Sequence, residues 1–79
     1  MWRKTLVRRT ECGNTRYYRL ELHPTLFNEY IVEREYGNVR YRRPTGIKID
    51  YFNDEESAKS RYLSILRQKK NKGYRDQSQ

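Results

Sequence analysis

From Arg16 to Leu22 the side chains alternate without a break: Tyr18, Leu20 and Leu22 fall on one side of an extended chain, and Tyr17, Arg19 and Glu21 on the other. A period of two over seven residues reads as a half-buried β-strand with one apolar face to cover. The flanking segments read the same way. Trp2 to Thr10 carries Thr5, Leu6 and Val7 among basic residues and reads as a first strand, followed by the turn cluster Glu11-Cys12-Gly13-Asn14. After His23-Pro24-Thr25, the stretch Leu26 to Tyr36 reads as a third strand through Tyr30, Ile31 and Val32, closed by Gly37-Asn38 in a tight hairpin. Val39 to Phe52 reads as a fourth, broken at Pro44-Thr45-Gly46, with Ile47, Ile49 and Tyr51 alternating beyond the break. Turns this short join antiparallel neighbours, because parallel strands need crossovers of a dozen or more residues.

A single helix follows. Asn53 is placed to cap it, with Glu56 three residues on as a capping-box partner and Asp54 and Glu55 complementing the positive dipole end. Ala58, Tyr62, Ile65, Leu66 and Lys69 recur on one face, Leu63 widens that stripe, and Gly73 supplies the stop. One apolar stripe and one apolar sheet face are satisfied by packing against each other. The expectation is an α+β fold: a four-stranded antiparallel β-meander with one C-terminal helix packed on one face. Residues 1–74 form a single domain, and the polar tail 75–79 is expected to fray.

Charge narrows the partner. Lys and Arg total 18 against 10 acids, a net charge of +8, and the direct use of such an excess is attraction to a polyanion such as nucleic acid. Eight tyrosines mark a folded chain despite a mean hydropathy of -1.28. A lone Cys12 and a lone His23 provide neither a disulfide nor a metal site, so no metal and no cofactor are expected. With no apolar run suited to a leader or a membrane span, a reducing cytoplasmic setting is expected, nucleoid-associated in a bacterium.

Catalytic spacings do not emerge from the sequence. There is no phosphate-binding loop, no dinucleotide fingerprint and no convergent set of acids, since Asp54, Glu55 and Glu56 need only the helix dipole to explain them. A non-enzymatic binding module is the expectation. The run Arg34 to Arg43 combines an aromatic side chain with arginines, the two ingredients of a shallow nucleic-acid site. Tyr36, at the end of a strand, either reaches a ligand or packs beneath the turn. Arg40 and Arg42 fall on one side of an extended segment and suit successive phosphates, or alternatively guard an edge strand; Arg43 is adjacent and Lys48 lies further along.

Three ordered blocks resemble the WGR domain found in DNA-dependent poly(ADP-ribose) polymerases and in small bacterial proteins. Tyr17-Tyr18-Arg19-Leu20-Glu21-Leu22 is similar to the family's aromatic strand, and Tyr36-Gly37-Asn38-Val39 stands where the family has Trp-Gly-Arg-Val. Glu55-Glu56-Ser57-Ala58, leading through Tyr62 and Lys69 to Gly73-Tyr74, resembles the family helix. The resemblance implies that Tyr36 stacks on a sugar or terminal nucleotide at a DNA end. Asn38 keeps hydrogen-bonding capacity where the family has a cation, so the charge passes to Arg40, Arg42 and Arg43. Asn14 lies one residue from the place of a nucleotide-touching family asparagine. The resemblance also implies an alternative, a protein-interaction module of the same fold, and RNA is a possible partner beside DNA.

Overall fold

A computed structural model describes residues 2–77; Met1 and the last two residues of the tail, 78 and 79, lie outside the described residues. The elements are β1 (Trp2–Arg9), β2 (Thr15–Pro24), β3 (Tyr30–Asn38), β4 (Gly46–Phe52), α1 (Glu55–Asn71) and β5 (Arg75–Asp76). The first four strands make the expected antiparallel meander, but the sheet has five strands, not four, in the order β4-β3-β2-β1-β5.

The fifth strand comes from the way the helix ends. Gly73, at φ 100°, donates to the carbonyl of Lys70, and Tyr74 donates to that of Lys69, the paired bonds of a Schellman stop. The chain is thereby turned back onto β1, where Arg75 pairs with Val7 and Asp76 with Leu6, and the Gln77 amide donates to the carbonyl of Thr5 at 3.0 Å. The Asp76 carboxylate sits between Lys4 and Lys70, at 3.6 and 3.5 Å. The tail expected to fray is therefore anchored as far as Gln77.

Three other boundaries move for local reasons. The helix cap is Asp54 and not Asn53: Asp54 is extended, and its carboxylate accepts the Ser57 amide and the Ser57 hydroxyl, each at 2.9 Å. Those two bonds hold the Asp54 carboxyl below its usual range, so the cap contributes above the ordinary aspartate pKa and is lost as pH falls through the lowered one. Strand β3 begins at Tyr30 and not Leu26, because Thr25 closes a turn: its amide donates to the carbonyl of Glu29 and its hydroxyl accepts from the amides of Phe27 and Glu29. That turn leaves Leu26 and Phe27 97% and 82% exposed at its tip.

The expected fourth strand is two structures. Strand β3 runs through Asn38, residues 39–45 form a loop, and only Gly46–Phe52 is strand. Asn38 folds the loop locally, its side-chain oxygen accepting from the Arg40 amide at 2.9 Å and its carbonyl from the Tyr41 amide at 3.0 Å. The loop returns over Gly37, where a Cβ would stand 2.9 Å from the Thr45 nitrogen.

Register gives every strand of the meander the same parity: Leu6 opposes Tyr18, which opposes Tyr36, which opposes Gly46. Even-numbered residues face α1, and odd-numbered residues face away. The core is Leu6, Tyr18, Leu20, Leu22 and Val32 from the sheet with Ala58, Tyr62 and Ile65 from the helix, flanked by Trp2, Tyr30, Tyr36, Phe52, Leu66 and Tyr74. Leu63 stays exposed instead of widening the stripe. Each of Leu6, Leu20, Val32 and Ile65 is fully buried, worth about 1.5–3 kcal/mol of transfer free energy apiece. Among the described residues no helix is long and apolar enough to cross a membrane.

Candidate nucleic-acid interface

At the Gly46 end of the sheet the helix and the strands diverge and leave a cleft of about 330 Å³, lined by Arg16, Tyr18, Arg34, Tyr36, Lys48, Gln68, Lys69 and Tyr74. The strand contributors are all even-numbered, so the same alternation that builds the core delivers them to this side. Tyr18, Tyr36 and Tyr74 supply the aromatic walls. Tyr36 is stacked beside Tyr18, with centroids 5.7 Å apart and planes 10° from parallel, and Tyr74 meets Tyr18 edge-on at 6.0 Å.

Gly46 makes room for that arrangement. A Cβ there would stand 2.5 Å from the Tyr36 hydroxyl and 2.6–2.8 Å from its ring carbons, so the Tyr36 ring occupies the space a side chain would take. Tyr36 is accordingly half-buried in a cleft wall, not free at a hairpin tip as its position in the sequence implied.

The charges of the cleft are unbalanced. Among the described residues Arg34 has an acidic partner, Asp50 at 3.0 Å, whereas Arg16, Lys48 and Lys69 have none within 4 Å. The Arg34 Nε is buried with no protein acceptor. The Lys69 ammonium lies 4.5 Å from the centre of the Tyr18 ring and 5.8 Å from that of Tyr74. Its pKa is lowered, first by burial and then by the like charges of Lys72, Arg34, Arg8 and Lys48. The second of these causes, the like charges, is the part that an anion would relieve.

On the other side of the sheet several residues of the same types are paired. Tyr17 donates to Glu35 at 2.9 Å, and Arg19 pairs with Glu35 at 3.4 Å, Arg3 with Glu21 at 3.6 Å and His23 with Glu33 at 3.7 Å. Burial and the Glu35 carboxylate push the Tyr17 hydroxyl pKa up.

Of the residues expected to bind, Tyr36 and Lys48 meet in the cleft. Arg42 does not join them: it lies across the sheet beside Thr5, Val7, Tyr17, Arg19 and Glu35. Arg40 and Arg43 are exposed in the loop and are not on an extended strand, so the pairing of Arg40 with Arg42 by alternation does not apply. Asn38 spends its side-chain oxygen on the loop amide of Arg40, and Asn14 lies in the β1–β2 turn at the same end of the sheet, its carbonyl accepting from Thr10. Nothing in the local sequence marks Arg16, Arg34, Gln68 and Tyr74 as binding residues, although parity with Tyr36 and position on the helix stripe carry the signal for Arg16, Arg34 and Lys69.

A WGR domain family model matches residues 3–79. The uncharacterized protein y4dW of Sinorhizobium fredii is 33% identical over 60 residues, which is 76% of this chain and 28% of that protein. The chain thus spans well under half the length of this relative. No solved structure shows a significant match.

Proposed function

Starting from the fact that this chain belongs to the WGR domain family, we propose that it is a non-catalytic nucleic-acid-binding module that takes a DNA end into the cleft. The carrying observation is the cation excess around tyrosines: among the described residues Arg16, Lys48 and Lys69 lack acidic partners beside Tyr18, Tyr36 and Tyr74. Phosphate oxygens meet the guanidinium and ammonium groups, and a terminal sugar or base lies against the Tyr36 wall. A terminus enters such a recess more readily than continuous duplex, whose stacked bases keep their faces covered. Arg40 and Arg43, at the same end of the molecule, extend the positive field toward the flanking backbone, and the neutral Asn14 there offers a hydrogen-bonding amide. RNA offers the same phosphates and stacking faces, and a parallel RNA titration separates the two polymers.

The test is a titration of fluorescently labelled linear duplex and of a closed circle of the same sequence at two salt concentrations. Tighter binding to the linear form is expected, with log K falling by about 0.9 per phosphate neutralised against log salt. Absence of binding to both at low salt would sink the proposal, and equal binding would reduce it to non-specific attraction.

A second reading, docking onto a partner protein, is favoured by the ordered tip that holds Leu26 and Phe27 in solvent. It expects Leu26→Ser/Phe27→Ser to abolish recovery of a defined partner while cleft substitutions leave that recovery intact.

A further inference from the structure

Among the described residues strand β4 is an unpaired edge of the sheet along its whole length, while on the opposite side β1 is covered at Thr5–Val7 by β5 and Gln77. It is seven residues long, and on the side away from the helix it shows Ile47, Ile49 and Tyr51, 54%, 45% and 62% exposed. An exposed edge with this pattern is a template for another strand, and proteins ordinarily blunt one with charge. Here the charges alternate in sign instead: Lys48 and Asp50 flank Ile49 on the helix side.

We propose that β4 is the dimerisation edge of this protein, pairing antiparallel with β4 of a second copy about a two-fold axis through Ile49. In that register Gly46 opposes Phe52, Ile47 opposes Tyr51, Lys48 opposes Asp50 and Ile49 opposes itself. The apolar strips join on one side, and on the other each lysine faces an aspartate of the copy. Sliding by two residues places Asp50 against Asp50 or Lys48 against Lys48, and like charges directly opposite destabilise a pair. Sliding by one residue turns the copy over and moves its apolar strip to the helix side. Only the centred register satisfies both charge and apolar matching.

The ends of the strand agree with this choice. The loop before Gly46 carries Arg40 and Arg43, and beyond Phe52 stand the cap Asp54 and the first-turn residues Glu55 and Glu56 of α1, all exposed. Because Gly46 opposes Phe52, the basic loop of one copy approaches the acidic turn of the other, twice in the dimer. The interface is isologous and closed, so it yields a dimer and not a filament. Both helices then lie on the same side of a ten-stranded sheet. Lys48 faces a carboxylate of the copy at the rim of the cleft, so dimerisation and phosphate binding draw on one ammonium.

The experiment does not depend on nucleic acid. In a Cys12→Ser background, Ile49→Cys is oxidised gently and run on a non-reducing gel beside Ile47→Cys and the Ile47→Cys/Tyr51→Cys pair. Disulfide dimers are expected from Ile49→Cys and from the double variant, and not from Ile47→Cys alone. Sedimentation of the unmodified protein up to about 1 mM should show a reversible dimer, with the dimer constant weakened at least tenfold by Ile49→Lys. Position 49 is exposed, and an unchanged circular dichroism spectrum verifies that the variant folds. Equal cross-linking at 47 and 49, a monomer at every concentration, or a dimer indifferent to Ile49→Lys would overturn the proposal.

Discussion

The two sides of this sheet carry much the same residue types and arrange them to opposite effect. On the outer side Tyr17, Arg19 and Glu35 satisfy one another, so Arg19 finds a carboxylate and the tyrosine hydroxyl finds an acceptor. On the helix side Tyr18, Tyr36 and Tyr74 enclose cations that repel each other, with Asp50 as partner to Arg34. Composition does not distinguish the two sides; cross-strand register does. An aromatic residue next to arginines is thus free to meet a polyanion on the proposed side, where Arg16, Lys48 and Lys69 have no acidic partner among the described residues, and is already engaged by Glu35 on the other.

The largest effect is expected from discharging the cleft. Replacing Arg16, Lys48 and Lys69 together by alanine should weaken DNA binding roughly 100-fold at moderate salt and lower the salt slope by about 0.9 for each phosphate contact removed. Arg19→Ala with Glu35→Ala on the outer side should leave DNA affinity within about twofold, as expected of a pair that contributes little beyond itself. If the outer pair mattered as much as the cleft, the assignment of faces would fail.

A smaller effect is expected from Gly46→Ala. The added Cβ collides with the Tyr36 ring, and overpacking of this kind costs about 1–3 kcal/mol, readable as a lower urea midpoint with unchanged slope. Combining it with Tyr36→Ala should relieve most of that loss, since the colliding ring is gone, while DNA affinity stays low.

The smallest effect is on pH dependence. The Lys69 pKa is lowered in the free protein, and a bound phosphate favours the charged form and draws it back up. Binding is therefore favoured while Lys69 is protonated and weakens as pH rises through its lowered pKa. Anisotropy titrations on the alkaline side of neutrality should show this decline for the native chain and a flatter profile for Lys69→Arg, whose guanidinium keeps its charge.

Much of the architecture was legible in the sequence. The alternation of Tyr18, Leu20 and Leu22 and the helical stripe of Ala58, Tyr62 and Ile65 became the two halves of the core, and Gly73 ended the helix as expected. Strand β5 was not legible, because Arg75 and Asp76 have no apolar pattern and pair only where the Schellman stop delivers them. The cap moved from Asn53 to Asp54 because Ser57, three residues on, answers the aspartate with both its amide and its hydroxyl.

The site was legible in part, and the miss has a clear form. Nearness along the chain suggested that Arg40, Arg42 and Arg43 would accompany Tyr36. A strand sends adjacent residues to opposite sides, however, and the loop after Asn38 then carries Arg42 over the outer one. Parity and cross-strand pairing instead bring Arg16, Arg34 and Lys48 to Tyr36, from three different strands.

The Tyr36 ring resting where a side chain of residue 46 would stand couples the choice of residue at those two positions. In the chains that share this arrangement, a large ring at 36 should travel with glycine at 46, and a side chain at 46 with something smaller or rotated at 36. A tryptophan at position 36 therefore depends on keeping Gly46, and a library randomised at both positions together should recover compensated pairs that neither single scan contains.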